Sequence, residues 1–239
     1  TWYYLYRKQP EVGKARFFPQ IEADVRTMAA DESLKQAQAY LQCPWDGPLP
    51  PEGPPAASPS LNHTLVHQFG CGEPDGGGQF LEHARIYMQA YPHLVFTKLD
   101  QVNAFGEVGR GPAYATALQV VPKLTGALWT WWRVPHRLWL EVSPGKFIAV
   151  EVTDGAMQGF CEAPLVYSLA VHDAYIKAAA QLLSEGIHVI ILAYIDDTLA
   201  IVAKEHMDRF MEVLQAKLAD KRLKLNPDKN KAWIPGALE

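Results

Sequence analysis

Residues 187–203 read IHVIILAYIDDTLAIVA. An apolar run, 187–194, is followed by Ile195, Asp196 and Asp197, and then by a second apolar run, 198–203. Runs of this length and composition fit two buried strands, and the short polar break fits a tight turn between them. That turn carries two adjacent carboxylates, which repel each other, so a cation beside them is favoured. Magnesium suits such a place, because it takes oxygen ligands, keeps several waters and binds one or two carboxylates together with substrate phosphates. Asp–Asp is also an ordinary turn sequence. Tyr194 to Asp197 alone therefore leaves both readings open.

Outward from this hairpin, LVFTKLD at 94–100 is another strand ending in an acid, Asp100. If it lies beside the hairpin, three carboxylates meet at one sheet end. In-line phosphoryl transfer with two metal ions needs such convergence, the ions being about 3.5–4 Å apart. A turn-capping role for Asp100 is the alternative. Next, DGAMQGFCEAPLVYSLAV at 154–171 places Gly155 and Gly159 in a loop that runs into a helix near Pro164. Glycine permits backbone conformations closed to other residues. Gln158 offers both donor and acceptor groups, and proline is tolerated in a first helical turn. Such a loop could approach a nucleotide or template closely. Last, LKLNPDKNKAW at 223–233 crowds Lys224, Lys229 and Lys231 into a short stretch. A lysine there could neutralise or protonate a leaving pyrophosphate, or simply face solvent.

The elements between these segments define a fold class. Helical spacing predicts helices over 14–42, 79–91, 112–132, 161–185 (ended by Gly186) and 204–222. Pro and Gly make 43–60 a loop and 70–78 a break. RLWLEVS and KFIAVEVT, joined at Pro144 and Gly145, predict a hairpin. Helices alternating with antiparallel strands imply an α+β fold, a split βαβ-like antiparallel sheet with helices on one face.

In order and spacing these four segments resemble the palm motifs of reverse transcriptases, closest to those of non-LTR retrotransposons. Motif A is KLDQVNAF, motif B GAMQGFCEAP, motif C AYIDDTLAI and motif D LKLNPDKNK, over roughly residues 93–235. The resemblance implies a right-hand polymerase palm at 93–239, a fingers-like region at 1–92 containing the Pro-rich loop, and no thumb, the chain reading as a fragment of something longer. It implies RNA-directed DNA synthesis with two Mg2+ ions (Mn2+ as a substitute) on Asp100, Asp196 and Asp197. Lys229 matches the motif D lysine. Gln101, Phe105, Gln158, Gly159 and Tyr194 are implied to contact substrate. Phe105 matches the aromatic under the sugar that excludes a 2′-hydroxyl, the group that separates RNA from DNA precursors. An RNA template, a DNA primer and dNTPs are the implied partners, and an intracellular ribonucleoprotein, in nucleus or cytoplasm, the implied setting. The family often has QGDPLSP where this chain has QGFCEAP; Ala163 replaces a small hydroxyl residue and Gly106 a polar one. These departures bear on rate and fidelity, since the acidic triad is intact. Lys14, Arg16, Arg26 and Arg85 are candidates for gripping a triphosphate.

Other readings remain open at this level. An RNA-dependent RNA polymerase would share the palm, but Phe105, Tyr194 and Ile195 speak against it. A decayed palm retained for binding RNA or protein would tolerate loss of an acid, and none is lost. The 239 residues carry 22 Lys and Arg against 26 Asp and Glu, a formal net charge of −4, which counts against a freestanding nucleic-acid binder. No apolar run reaches about 18 residues, so no membrane span is expected. Cys43, Cys71 and Cys161 are odd in number without paired spacing, which argues against a disulfide framework. His63, His67 and Cys71 recur every four residues with Cys43 upstream, a weak zinc pattern that Gly70 disturbs. Trp129, Trp131 and Trp132, near Arg133 and Arg137, could stack on bases or pack a core. Nothing here speaks to oligomeric state.

Overall fold

The computed structural model describes residues 32–42, 45, 61, 63–71, 74–157, 160 and 162–237. A five-stranded sheet is assembled from β1 (Leu65–Gln68), β2 (Val95–Leu99), β5 (Val189–Tyr194), β6 (Asp197–Val202) and β7 (Lys231–Trp233), in the order β1-β5-β6-β2-β7. β1 runs parallel to β5, and all other neighbours are antiparallel. β3 (His136–Ser143) and β4 (Lys146–Val152) form a separate hairpin.

Apart from Tyr194 and Asp197 beside the turn, strands β5 and β6 are buried. Val189, Ile190, Ile191, Leu192 and Ala193 are wholly inaccessible, as are Ala200, Ile201 and Val202. Each large side chain buried here stabilises the fold by about 1.5–3 kcal/mol. Because successive side chains alternate between faces, Val189, Ile191, Ala193, Ala200 and Val202 enter one core and Ile190, Leu192, Leu199 and Ile201 another.

The first core is covered by α6 (Ala163–Ser184), which packs against α4 (Arg110–Val120), α7 (Met207–Ala219) and α1 (Glu32–Gln42). α6 is buried on nearly every side from Leu165 to Tyr175, as expected of a helix that is apolar all round. Its end is a Schellman motif. Gly186 sits at φ 78°, its N–H donates to the Leu183 carbonyl at 3.0 Å, and Ile187 N–H donates to Leu182 at 2.9 Å. This cap turns the chain directly into β5. The second core is closed by α2 (Gly76–Ala90), whose Ala84, Phe80, Tyr87 and Met88 lie against Phe96, Ile190 and Leu192.

The predicted α+β arrangement is present, with two departures: α2 covers part of the face opposite the other helices, and the parallel β1 makes the sheet mixed rather than antiparallel throughout. β1 was unforeseen, and it joins the same sheet as β5 although it lies upstream of residue 93. The helix expected over 112–132 is divided. α4 ends at Val120, a 3-10 turn spans Pro122–Leu124, and α5 covers Thr125–Trp132. Pro122 has no N–H to continue the helical ladder, and Val121 before it leaves the helical region (φ −138°, ψ 64°). Of the helix expected over 14–42, only Glu32–Gln42 lies within the described residues. Lys14, Arg16, Arg26, Cys43 and Cys161 lie outside them. The β3–β4 hairpin forms as expected, with Trp139, Leu140, Val142 and Ile148 all exposed.

Candidate active site

Asp100 directly follows β2, and Asp197 opens β6. The register pairs Leu99 with Thr198, so one step further Asp100 lies opposite Asp197. Alternation puts both on the face that carries Phe96 and Leu199. Tyr194 pairs with Asp197 across the hairpin, leaving Ile195 and Asp196 as a two-residue turn. Asp196 and Asp197 are exposed and Asp100 is half-buried. The sheet therefore brings the three predicted acids to one edge.

Two lysines attend them. Lys98 Nζ is 3.0 Å from Asp197 Oδ1, a diagonal cross-strand pair. This hydrogen bond holds the Lys98 ammonium above its ordinary pKa, and the charges of Asp197, Asp100 and Asp196 add to it. Lys229 Nζ is 3.6 Å from Asp100 Oδ1, a Coulombic contact too long for a hydrogen bond. The Lys98–Asp197 pair is solvent-exposed, so it contributes little to stability.

The backbone at Asp100 is pinned by the segment that follows α7. Asp100 N–H donates to Asn230 Oδ1 at 2.9 Å, Asn226 N–H donates to the Asp100 carbonyl at 2.8 Å, and Val102 N–H donates to Lys224 at 2.9 Å. The lysine-rich segment is thus a brace for Asp100 as well as a source of cations. The motif A resemblance sets Gln101 among the substrate-facing residues. The structure buries it and directs its Nε2 to Tyr175 Oη at 3.1 Å. Tyr175 in turn meets Thr198 Oγ1 at 2.7 Å. One tyrosine of α6 therefore links the residue after Asp100 to the residue after Asp197. Burial pushes its hydroxyl pKa up to about 12, so it stays protonated as the link requires.

Phe105 begins the next layer. Its ring stacks on buried Tyr167 with centroids 4.7 Å apart, and its carbonyl accepts a hydrogen bond from Ala156 N–H at 2.7 Å. Gly155 lies at φ 80°, and a methyl group there would strike the Gly106 carbonyl. Buried Arg110 secures the same loop, its Nε donating to Gly155 O at 2.9 Å and its N–H to Asp154 Oδ1 at 2.6 Å. Gln158 and Gly159 lie outside the described residues. Tyr194 is exposed at the site's edge, and a methyl at Gly77 would lie 3.8 Å from its ring.

Three carboxylates are the hard-oxygen donor set that Mg2+ or Mn2+ prefers. Asp100 Oδ1 is buried without a hydrogen-bond donor, Lys229 Nζ standing off at 3.6 Å, so it is an acceptor that a closer cation would satisfy. Among the described residues, no three His, Cys, Asp or Glu side chains are drawn together closely enough to form a finished metal cage; Asp197 is instead turned to Lys98. The chemistry of the donors fits a divalent ion, and its entry would require Lys98 to release Asp197. The zinc pattern fares differently. His67 is on strand β1, stacked on Phe69 at 3.9 Å, so the spacing of four does not set these residues on one helix face. Trp131 and Trp132 pack against the main core while Trp129 is exposed. Arg85 is exposed and paired with Glu82.

A carboxylate-ended strand beside a carboxylate-bearing hairpin, backed by long helices, defines a polymerase palm. The chain belongs to the reverse transcriptase (RNA-dependent DNA polymerase) family, whose profile it matches over residues 61–235. Among solved structures it is similar to apo telomerase from Candida tropicalis, with a TM-score of 0.52 and 9% identity, covering 100% of this chain and 39% of that one. Similarity extends to the Candida tropicalis telomerase in complex with the TWJ fragment of telomeric RNA, with a TM-score of 0.52 and 9% identity, covering 97% of this chain and 35% of that one. At such identities the likeness is one of fold, and the chain spans well under half the length of either. No curated protein is matched in a sequence comparison.

Proposed function

We propose that the protein is an RNA-directed DNA polymerase of a retrotransposon, copying an RNA template onto a DNA primer from dNTPs inside an intracellular ribonucleoprotein, in nucleus or cytoplasm. The observation that carries this reading is the register that sets Asp100 against Asp197, next to Asp196, with Asp100 Oδ1 lacking a donor. In the reaction the primer 3′-oxygen bonds to the α-phosphorus, and the bridging oxygen leaves with pyrophosphate. Asp100, Asp196 and Asp197 would hold two Mg2+ ions, Mn2+ being a substitute. When bound, these supply Lewis-acid activation of the hydroxyl and charge stabilisation at the phosphate. Phe105, supported by Tyr167, would form the floor under the sugar and favour dNTPs. Lys229, exposed and beside Asp100, would meet the leaving pyrophosphate with its positive charge. Gln158 and Gly159 would contact the incoming nucleotide or template base, as the motif B resemblance implies, and Tyr194 would border the primer end. The chain supplies positioning and electrostatics more than covalent chemistry.

Primer extension by the full chain on an RNA template, with Mg2+ and dNTPs, tests the reading beside Asp196→Ala and Asp197→Ala controls. Extension should fall by at least about a thousandfold in either variant, as loss of a group acting in the transition state demands, while thermal denaturation stays close to that of the parent. Near-normal synthesis by either variant would refute the metal assignment. Extension with ribonucleotides in preference to dNTPs would favour an RNA-dependent RNA polymerase instead.

A further inference from the structure

Ile195, the first residue of the turn between β5 and β6, lies at φ 57°. Left-handed backbone crowds Cβ against the following carbonyl, and a β-branched side chain makes it worse. Asp196 has no positive φ. Ile195 alone thus occupies the first central position of a II′-like turn, where glycine is usual. Such a conformation persists only when its surroundings hold it.

Gln68 does the holding. It is the last residue of β1 and is wholly inaccessible. Its Oε1 accepts the Ile195 N–H at 2.9 Å and the Gly70 N–H at 2.9 Å. Its Nε2 donates to the Ile195 carbonyl at 3.4 Å. One carboxamide therefore takes both backbone groups of Ile195, as a neighbouring strand would. The backbone of β1 does not do so itself, because its pairing with β5 stops at Ala193, where Phe69 N–H donates to the Ala193 carbonyl at 2.7 Å. Gly70 makes room: a methyl there would lie 2.5 Å from the Ile195 nitrogen and strike its side chain.

We propose that Gln68, with Gly70 beside it, is a positioning residue for the catalytic turn. By fixing the peptide between Ile195 and Asp196 it sets the direction of the two carboxylates that follow. If Gln68 lets go, Ile195 relaxes to negative φ, the peptide plane turns over, and the carboxylates move. The effect on rate rests on the polymerase reading above; the clamp itself does not.

The experiment uses Gln68→Met in the full chain. Met keeps the volume and removes both hydrogen-bonding groups. Amide hydrogen exchange at Ile195 and Gly70 should quicken by about tenfold or more, the loss expected for one buried hydrogen bond, while the amides of Ile190, Ile191 and Leu192 stay protected. Primer extension should lose about tenfold to hundredfold in kcat, the scale of a 1 Å misplacement, with KM for dNTP within about twofold. Ile195→Gly introduced into Gln68→Met should restore kcat to within about threefold, since glycine adopts positive φ freely. Rescue of this kind does not follow from lost packing. If Gln68→Met unfolds β5, Gln68→Asn, one methylene short of reaching the turn, gives the same readings. Unchanged exchange at Ile195, or no rescue by an Ile195→Gly change that is harmless alone, overturns the proposal. Should the parent chain extend no primer at all, the polymerase reading falls, and the exchange rates alone decide the clamp.

Discussion

Phe105, proposed above as the floor under the sugar, is first of all a packed structural side chain. Its ring is stacked on Tyr167, a residue with no solvent exposure, so it cannot swing aside when a larger sugar arrives. That rigidity, rather than aromaticity alone, is what would let it exclude a 2′-hydroxyl. Phe105→Ala is expected to relax discrimination against ribonucleotides by about one to two orders of magnitude, since a shape-based pocket separates close analogues by roughly 1–3 kcal/mol. Competition between dCTP and CTP in single-nucleotide extension measures this, and an unchanged ratio refutes the role. Some destabilisation, about 2 kcal/mol for a half-buried ring, should accompany it. Phe105→Val, which keeps more of the packing, separates the two effects by relaxing selectivity at less cost in stability.

At the scale of elements, the loop from Thr153 to Met157 ties motif B to motif A. Gly155 needs both its positive φ and its missing side chain. Gly155→Ala is expected to cost about 3 kcal/mol, of which about 1–2 is the left-handed backbone and the rest the clash with Gly106. Chemical denaturation reads the cost, and a variant within about 0.5 kcal/mol of the parent would show that the loop is not held there. The special demand at Gly155 was legible in the sequence, as were the hairpin of β5 and β6, the acid after β2 and the Pro164 start of α6, because each leaves a local mark. What stayed hidden is whatever depends on partners distant in sequence. LVHQ is too short and too mixed to declare itself a strand until β5 lies beside it. Gln68, Arg110, Tyr175 and Asn230 are ordinary polar residues whose work is visible only from what they touch. Gln101 misled for the same reason: its neighbour Asp100 faces the site, so the alternation of an extended chain turns Gln101 to the core.

Across the whole molecule, α6 is the post against which everything else is set, and its interior is polar at one level. Asp173 meets Lys221 at 2.6 Å and Lys177 at 2.8 Å, and Lys221 reaches Thr116 Oγ1 at 2.7 Å, so one cluster joins α6, α4 and the end of α7. Burial pushes the Asp173 carboxyl up, but hydrogen bonds from Lys177 and Lys221 outweigh it and hold the group below its ordinary value. Next to it, His172 is wholly inaccessible with neither ring nitrogen bonded to a described residue, and Tyr40 of α1 packs edge-on at 5.3 Å. Burial, aided by the charge of His67 and opposed by that of Asp173, lowers the His172 pKa from 6.5 to about 4. The unfolded chain therefore takes up a proton on this residue near pH 6.5, whereas the folded chain resists until about pH 4. Between those limits the unfolded state binds more protons, so stability falls as pH falls, by about 3 kcal/mol for this one group. That is roughly 10 °C in Tm for a chain of this size. Melting curves between pH 7 and pH 4.5 should show the decline, and His172→Leu should make it shallower, leaving the shares of His63, His136 and His188, whose pKa values burial also lowers, and of the carboxylates Asp173 and Glu185 at the acid end. An equally steep decline in His172→Leu would place the proton uptake elsewhere. It would also mean that the centre of α6, which carries Tyr175 and Tyr167 behind the edge with the three acids, is not the acid-labile part of the fold.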